Sequence, residues 1–359
     1  MIRALVVRAP GIVGIARRGG LRAPPWRPRS SLAAAAAAEP EPAWGTHTAA
    51  HATHANVAQL LACTDNFVFD CDGVLYTPEG AIEGAAVALA SLRAAGKGCF
   101  FVTNNAAATR VELQDKLRSK GIEADVSEIF GAAYLTACYL RQRAERGEFS
   151  GKVYVAGAEG LAEELRGAGL TVIGGAEGTS KLGQYSAAEM AAVAIDPEIK
   201  AVVVGMDVAG FCYYTMAFAC RCLVENAGCE FINTNPDLRF PIASASAADP
   251  VFEGCESSYL PEAGALAAVV AACTGRVPTV CGKPSPLAME LICAEHGIDR
   301  KRTAMVGDTL YTDIAFGALS STFFCFFFYF LACRECVRRA EHVGAQRQHE
   351  RRSCRGCCG

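Results

Sequence analysis

Two carboxylates stand at the end of an apolar run in NFVFDCDGVLY, residues 66–76. Phe67, Val68 and Phe69 have the composition of a short buried strand. Side chains two apart on an extended chain point the same way, so Asp70 and Asp72 can share one site. Gly73 lets the backbone turn beneath them. Carboxylates that close repel each other unless a cation or a shared proton relieves the repulsion, and a divalent metal ion is the natural third member. Most isolated Asp-x-Asp pairs are solvated loop residues or caps. The apolar strand in front and Gly-Val-Leu behind make this one a candidate catalytic pair, tested by whether partners arrive at other strand ends.

They do. KGCFFVTNN carries a second apolar strand, Cys99 to Val102, ending in Thr103, Asn104 and Asn105, with hydroxyl and amide groups suited to anion binding. VCGKPSP places Lys283 after an apolar stretch, Pro278 to Cys281, and before a helix with Ser285 as its N-cap and Pro286 in its first turn. A cation there can reach a phosphate at the sheet edge. The stretch is not a nucleotide P-loop, because Val277 stands where its first glycine should be and Pro284 follows the lysine. TAMVGDTLYTDI supplies a further strand ending at Gly307 and Asp308, with Asp313 beyond.

The elements that must position these residues alternate. A helix from Glu83 to Ala95 closes on Gly96, and Thr109 with Glu112 has the spacing of a capping box whose helix ends at Gly121. Strand and helix in this rhythm predict a parallel sheet with helices on its faces, whose ligands collect beyond the carboxyl ends of the strands. Residues 151–277 hold strands of their own at Ala201 to Val204 and Phe231 to Ile232, and a helix at Leu161 to Gly167, so they read as an inserted α/β unit. Within it, Asp207 stands near Phe211, Tyr213 and Tyr214, aromatics whose plain reading is helix packing, and TNPD at Thr234 to Asp237 reads as a turn.

This ordered set resembles the haloacid dehalogenase superfamily of phosphatases. DCDGVLY is similar to its first motif, VTNN to the second, GKPSP to the third and GDTLYTDI to the fourth. The long insertion with TNPD and PEAGAL is similar to the C2-capped subgroup that holds phosphoglycolate, pyridoxal, 4-nitrophenyl and bacterial nucleotide phosphatases. DCDGVLY, IFGAAYLTA and VVVGMD look most like eukaryotic phosphoglycolate phosphatases.

The resemblance implies an α/β fold, a Rossmann-like parallel core sheet with an inserted C2 cap. Asp70 is then nucleophile and Asp72 general acid and base. Thr103, Asn104, Asn105 and Lys283 bind the phosphoryl group, and Mg²⁺ is held by Asp70, the Asp72 carbonyl and Asp308, with Asp313 holding a metal-bound water or orienting Lys283. The implied reaction is hydrolysis of a small phosphomonoester through an aspartyl phosphate, with 2-phosphoglycolate first and pyridoxal phosphate or a nucleotide as alternatives. An inactive variant whose tail binds zinc or a membrane is the reading from another class.

Several residues depart from the family pattern. Thr309 and Tyr311 replace an arginine and an aspartate of GDRLDTDI, and Glu262 replaces the first glycine of PGAGSL. After Gly317 the chain reads ALSSTFFCFFFYFLACRECVRRAEHVG where the family has a glycine-containing link, a strand and a helix. Phe323 to Phe330 reads as the missing buried strand. The uncharged stretch Ile314 to Cys333 has the length of a bilayer span, and Cys333, Cys336, Cys354 and Cys357 have zinc-site spacing.

The chain divides into an extension over 1–55, core over 56–150, cap over 151–277, core again over 278–331 and a Cys/Arg-rich tail over 332–359. The extension holds seven arginines before its first acid, Glu39, which resembles an organelle transit peptide and points to the chloroplast, with mitochondrion or cytoplasm as alternatives. A net charge of −3 and a pI near 6.1 offer no basic field for nucleic acid. Eighteen cysteines, many scattered through apolar runs, read as buried thiols in a reducing compartment. The expected partner is a small phosphorylated metabolite, with no nucleic acid, no membrane and a possible homodimer.

Overall fold

The structure is a computed structural model that describes residues 60–78, 80–175, 186–241 and 259–320, with the backbone of 323–326. The expected α/β architecture is present as two parallel sheets. The first is built from β1 (Asn66–Phe69), β4 (Gly98–Thr103), β5 (Ile129–Gly131), β13 (Thr303–Gly307) and β14 (Phe323–Phe326), in the order β14-β13-β1-β4-β5. Every pairing in it is parallel, and β1 lies at the centre. A central parallel strand is covered on both faces, which is why NFVF is a continuous apolar run rather than an alternating one.

The period of two still decides which face each residue covers. Phe67, Phe69, Cys99, Phe101, Ala304 and Val306 pack against α1 (Ala85–Ala94) and α2 (Arg110–Ser119) through Leu89, Leu92, Leu113 and Leu117. Val68, Phe100 and Met305 turn the other way, onto α3 (Ala132–Glu145) and α8 (Leu287–His296) through Leu135, Met289 and Ile292. Each fully buried Phe or Leu of this kind contributes roughly 1.5–3 kcal/mol. The capping box opens α2 as expected, with Glu112 N–H donating to Thr109 Oγ1 and Thr109 N–H donating to Glu112 Oε2. The helix expected from Glu83 begins at Ala85, after Gly84 at φ 87.

The second sheet runs β12-β9-β8-β6-β7, with β6 (Lys152–Ala156), β7 (Thr171–Gly174), β8 (Ile199–Val204), β9 (Glu230–Asn233) and β12 (Thr279–Val280). One face carries α6 (Tyr213–Glu225) and α7 (Ala263–Thr274). The opposite face carries α4 (Glu159–Gly167) and also α3. Helix α3 is therefore shared: Leu135 and Cys138 face the first sheet, while Ala133, Ala137 and Leu140 face the second. Its unbroken buried run follows from contact on two sides. Phe211 and Tyr214 pack against the second core as expected of the aromatic cluster, whereas Tyr213 is exposed.

Two boundaries differ from the sequence reading. Strand β12 was expected to return to the first unit with residue 278, but it hydrogen-bonds in parallel to β9, so the chain leaves the second sheet only at Cys281. Its two residues are too short a run for periodicity to assign to either sheet. The cap of α8 falls on Pro286 rather than Ser285, although Ser285 Oγ still accepts from the Leu287 N–H at 3.4 Å.

After β13 the chain forms α9 (Ala315–Leu319) and then β14, paired in parallel with β13. Strand β14 occupies the first half of the expected Phe323 to Phe330 strand. A single helix from Ile314 to Cys333 is thereby excluded, because parallel pairing begins at Phe323. Among the described residues no helix is long and apolar enough to cross a membrane. Cys333, Cys336, Cys354 and Cys357 lie outside the described residues, as does the arginine-rich extension.

Candidate active site

The site lies beyond the carboxyl ends of β1, β4 and β13, where three loops and one lysine converge. Asp70 follows β1 directly, and its main-chain N–H donates to Val306 O of β13 at 2.9 Å, which holds the two strand ends together. Lys283 Nζ donates to Asp70 Oδ1 at 2.6 Å and to Asp313 Oδ1 at 2.7 Å. The other oxygen of Asp313 accepts from the N–H groups of Asp308 at 3.1 Å and Thr309 at 3.0 Å, so the loop after β13 is wrapped around a fully buried carboxylate.

Close approach of backbone makes this packing possible. Gly73 sits at φ 83, and a Cβ there would lie 2.4 Å from Asp308 Oδ2. A Cβ on Gly307 would lie 2.1 Å from that of Asp313. Only glycine fits either place.

Electrostatics set the protonation states. Burial opposes the charge on Lys283, but Asp313 and Asp70 outweigh it and hold the ammonium above the ordinary lysine range. Burial pushes Asp70 well up, with Asp313 and Asp308 adding to the rise against the lowering effect of Lys283. Asp308 is raised by burial and then by Asp313. One ammonium among three carboxylates leaves an excess of negative charge in a desolvated place. Carboxylate oxygens of Asp70, Asp308 and Asp313 all lie within 4.8 Å of one another. A hard divalent cation that prefers oxygen donors suits this set, and Mg²⁺ fits it. The Asp72 carboxylate lies outside this set.

Asp72 is turned toward the rim and half exposed. Tyr76 Oη donates to its Oδ2 at 3.2 Å, and Lys116 Nζ approaches its Oδ1 at 3.4 Å. Lys116 also lies 4.3 Å from the centre of the Tyr76 ring. Neither partner is legible in the sequence, since Tyr76 reads as β-strand filler and Lys116 as one more charge on an exposed helix face.

The residues after β4 divide their work. Thr103 Oγ1 accepts from Asn105 N–H at 3.1 Å, and its hydroxyl proton is not used in that bond. The Asn105 side chain accepts from the N–H groups of Ala107 and Ala108, so its oxygen shapes the loop. Asn104 Oδ1 accepts from Lys283 N–H at 2.8 Å, and its Nδ2 donates to Asp237 Oδ2 at 2.9 Å and to Lys283 O at 3.2 Å. Asn104 therefore positions the lysine. The TNPD stretch is more than a turn: Asn235 Nδ2 donates to Asn104 O at 2.8 Å and to Glu262 Oε1 at 3.4 Å, tying the second unit to the end of β4. Burial raises Asp237 and Glu262 above the ordinary carboxylate range.

A buried lysine spanning two aspartates, a third carboxylate beside them and a parallel sheet behind define a phosphoryl-transfer enzyme of the α/β class. Family profiles agree: one described as haloacid dehalogenase-like hydrolase matches residues 67–171, and a second, HAD-hydrolase-like, matches 280–319. Phosphoglycolate phosphatase 2 of Arabidopsis thaliana is 36% identical over 263 residues, 73% of this chain and 82% of that protein. Human glycerol-3-phosphate phosphatase is 38% identical over 264 residues, covering 72% and 77%. Among solved structures, a p-nitrophenyl phosphatase from Archaeoglobus fulgidus superposes with a TM-score of 0.58 at 28% identity, over 73% of this chain and 85% of that one. The chain belongs to the haloacid dehalogenase-like hydrolases, in the C2-capped subclass, and is a phosphatase.

Proposed function

We propose that the protein is a Mg²⁺-dependent phosphomonoester hydrolase that works through an aspartyl phosphate on a small phosphorylated metabolite. The observation that carries this reading is Lys283 Nζ bridging Asp70 and Asp313, with Asp308 completing the carboxylate set. Asp70 attacks phosphorus in line, forming the acyl phosphate as the substrate's P–O bond breaks. Asp72 delivers a proton to the departing alkoxide and then takes one from the water that cleaves the intermediate. Tyr76 and Lys116 hold Asp72 at the rim, where it meets the leaving oxygen. The Lys283 ammonium and the Thr103 hydroxyl bind phosphoryl oxygens. Asp70, Asp308, the Asp72 carbonyl and, directly or through water, Asp313 would hold Mg²⁺, which would neutralise charge between an anionic nucleophile and an anionic substrate.

The motif resemblance favours 2-phosphoglycolate as the substrate, and the Arabidopsis relative supports it. Glycerol 3-phosphate is the second reading, supported by the human relative. The arginine-rich, acid-poor start of the chain supports targeting to an organelle, the chloroplast first. Purified full-length protein given p-nitrophenyl phosphate with and without Mg²⁺ tests the reaction class. Metal-dependent release of nitrophenolate is expected, and its absence sinks the reading.

A further inference from the structure

Lys283 stands in the loop between β12 of the second sheet and α8 of the first unit. The ammonium that joins Asp70 to Asp313 therefore depends on how this loop is clamped. On one side the Gly282 N–H donates to Thr234 O at 2.7 Å. A Cβ on Gly282 would lie 2.6 Å from that oxygen and 2.7 Å from Asn104 Oδ1, so the fit is tight. On the other side one carboxamide brackets the lysine main chain. Asn104 Oδ1 accepts from the Lys283 N–H at 2.8 Å, and Asn104 Nδ2 donates to the Lys283 carbonyl at 3.2 Å.

Asn104 is itself gripped by the TNPD loop. Asn235 Nδ2 donates to the Asn104 carbonyl at 2.8 Å, and Asp237 Oδ2 accepts from Asn104 Nδ2 at 2.9 Å. The bond to Asp237 is the shorter of the two that Nδ2 makes, and hydrogen bonds to an ionised acceptor are the stronger kind. The Asp237 main chain is fixed as well: its N–H donates to Asn235 Oδ1 at 3.0 Å, and its carbonyl accepts from the Gly264 N–H of α7 at 2.9 Å. An unbroken set of hydrogen bonds thus runs from α7 through Asp237 and Asn104 to Lys283.

The direction of the Asn104 carboxamide decides whether the clamp works. Turned over, it would set its amine against the Lys283 N–H and its oxygen against two acceptors, the Lys283 carbonyl and the Asp237 carboxylate. A carboxylate only accepts, so it holds the amine end alone. We infer that Asp237 is a positioning residue for phosphoryl binding: it fixes the Asn104 carboxamide, and through it the loop that carries the Lys283 ammonium, without touching the substrate. The inference rests on the phosphomonoesterase reading of the site. It deepens that reading by giving a residue of the inserted unit a part in holding the phosphoryl group, whatever the leaving alcohol.

The test compares Asp237→Leu, Asp237→Asn, Asn104→Ala and the Asp237→Leu, Asn104→Ala double variant with wild type at saturating Mg²⁺. The substrates are p-nitrophenyl phosphate, 2-phosphoglycolate and glycerol 3-phosphate, with inorganic phosphate as inhibitor. Asp237→Leu removes the acceptor at similar volume, so kcat/KM should fall about tenfold. The factor should be the same for every substrate that the wild type hydrolyses, and inorganic phosphate should inhibit more weakly. Asp237→Asn keeps an acceptor oxygen and should recover most of the loss. On the Asn104→Ala background the Asp237→Leu change should cost nothing further, because residues that act through one another are not additive. A loss confined to one leaving group, a loss that adds to that of Asn104→Ala, or wild-type kinetics in Asp237→Leu overturns the inference. If Asp237→Leu shows no cooperative melt, Asp237→Ala is read in its place by the same criteria. A wild type that hydrolyses none of the three substrates removes the parent reading and this one with it, whereas wild-type turnover with unaltered variants removes this inference alone.

Discussion

The ammonium of Lys283 lies 2.6 Å from the carboxylate of Asp70, although the two residues are 213 positions apart in the chain. The fold brings them together because β1 and the loop after β12 end at the same place. The same ammonium reaches Asp313, so one buried cation joins the first, third and fourth motifs.

Replacing the nucleophile should separate catalysis from folding. Asp70→Asn removes the attacking oxyanion while keeping the shape, so kcat should fall on the order of a thousandfold or more with a cooperative melt retained. Turnover near the wild-type rate, measured with p-nitrophenyl phosphate, would remove the aspartyl-phosphate mechanism.

Lys283→Met leaves Asp70 and Asp313 buried without their cation. Stripping one partner from a buried ion pair costs about 3–5 kcal/mol, so chemical denaturation should show a loss of that order as well as loss of activity. Added Mg²⁺ should recover part of the stability, because a divalent ion answers the same excess charge.

Removing metal should stop hydrolysis and lower the melting temperature, and Mg²⁺ should restore both. Asp308→Asn keeps the loop but takes one charge from the ligand set. The Mg²⁺ concentration needed for half-maximal activity should then rise by about an order of magnitude. An unshifted requirement in a metal titration would count against Asp308 as a ligand.

Gly73→Ala places a methyl where φ is 83 and where Asp308 Oδ2 would be 2.4 Å away. The left-handed conformation alone costs roughly 1–2 kcal/mol, and Asp308 must also shift. Reduced thermal stability together with a higher Mg²⁺ concentration for half-maximal activity is expected, whereas Gly96→Ala, with open space around it, should show the backbone cost only.

The pH dependence of stability follows from Asp237 and Glu262. Burial raises both above their unfolded values. The folded state therefore binds more protons than the unfolded one as pH rises through the ordinary carboxylate range, and stability falls there. The cost is complete once pH exceeds the raised folded values. Glu262→Gln should accordingly melt higher than wild type at neutral pH, with the difference shrinking as pH drops below the ordinary glutamate range. Melts across that range check the sign.

What the linear chain determined was chemical identity and order. Apolar runs ending in Asp70, Thr103 and Asp308, with Lys283 between the second and third, marked strand ends that face a common ligand, because a parallel sheet puts its carboxyl ends together. The capping box at Thr109 and the strand at Phe323 were legible for a similar reason: hydrogen-bond spacing and apolar runs are local properties. Tertiary structure alone decided which side chains pair with which. Asn104 spends its carboxamide on Lys283 and Asp237, Lys116 reaches Asp72 across 44 residues, and β12 joins the second sheet. Such pairings depend on directions in space that no spacing along a chain encodes.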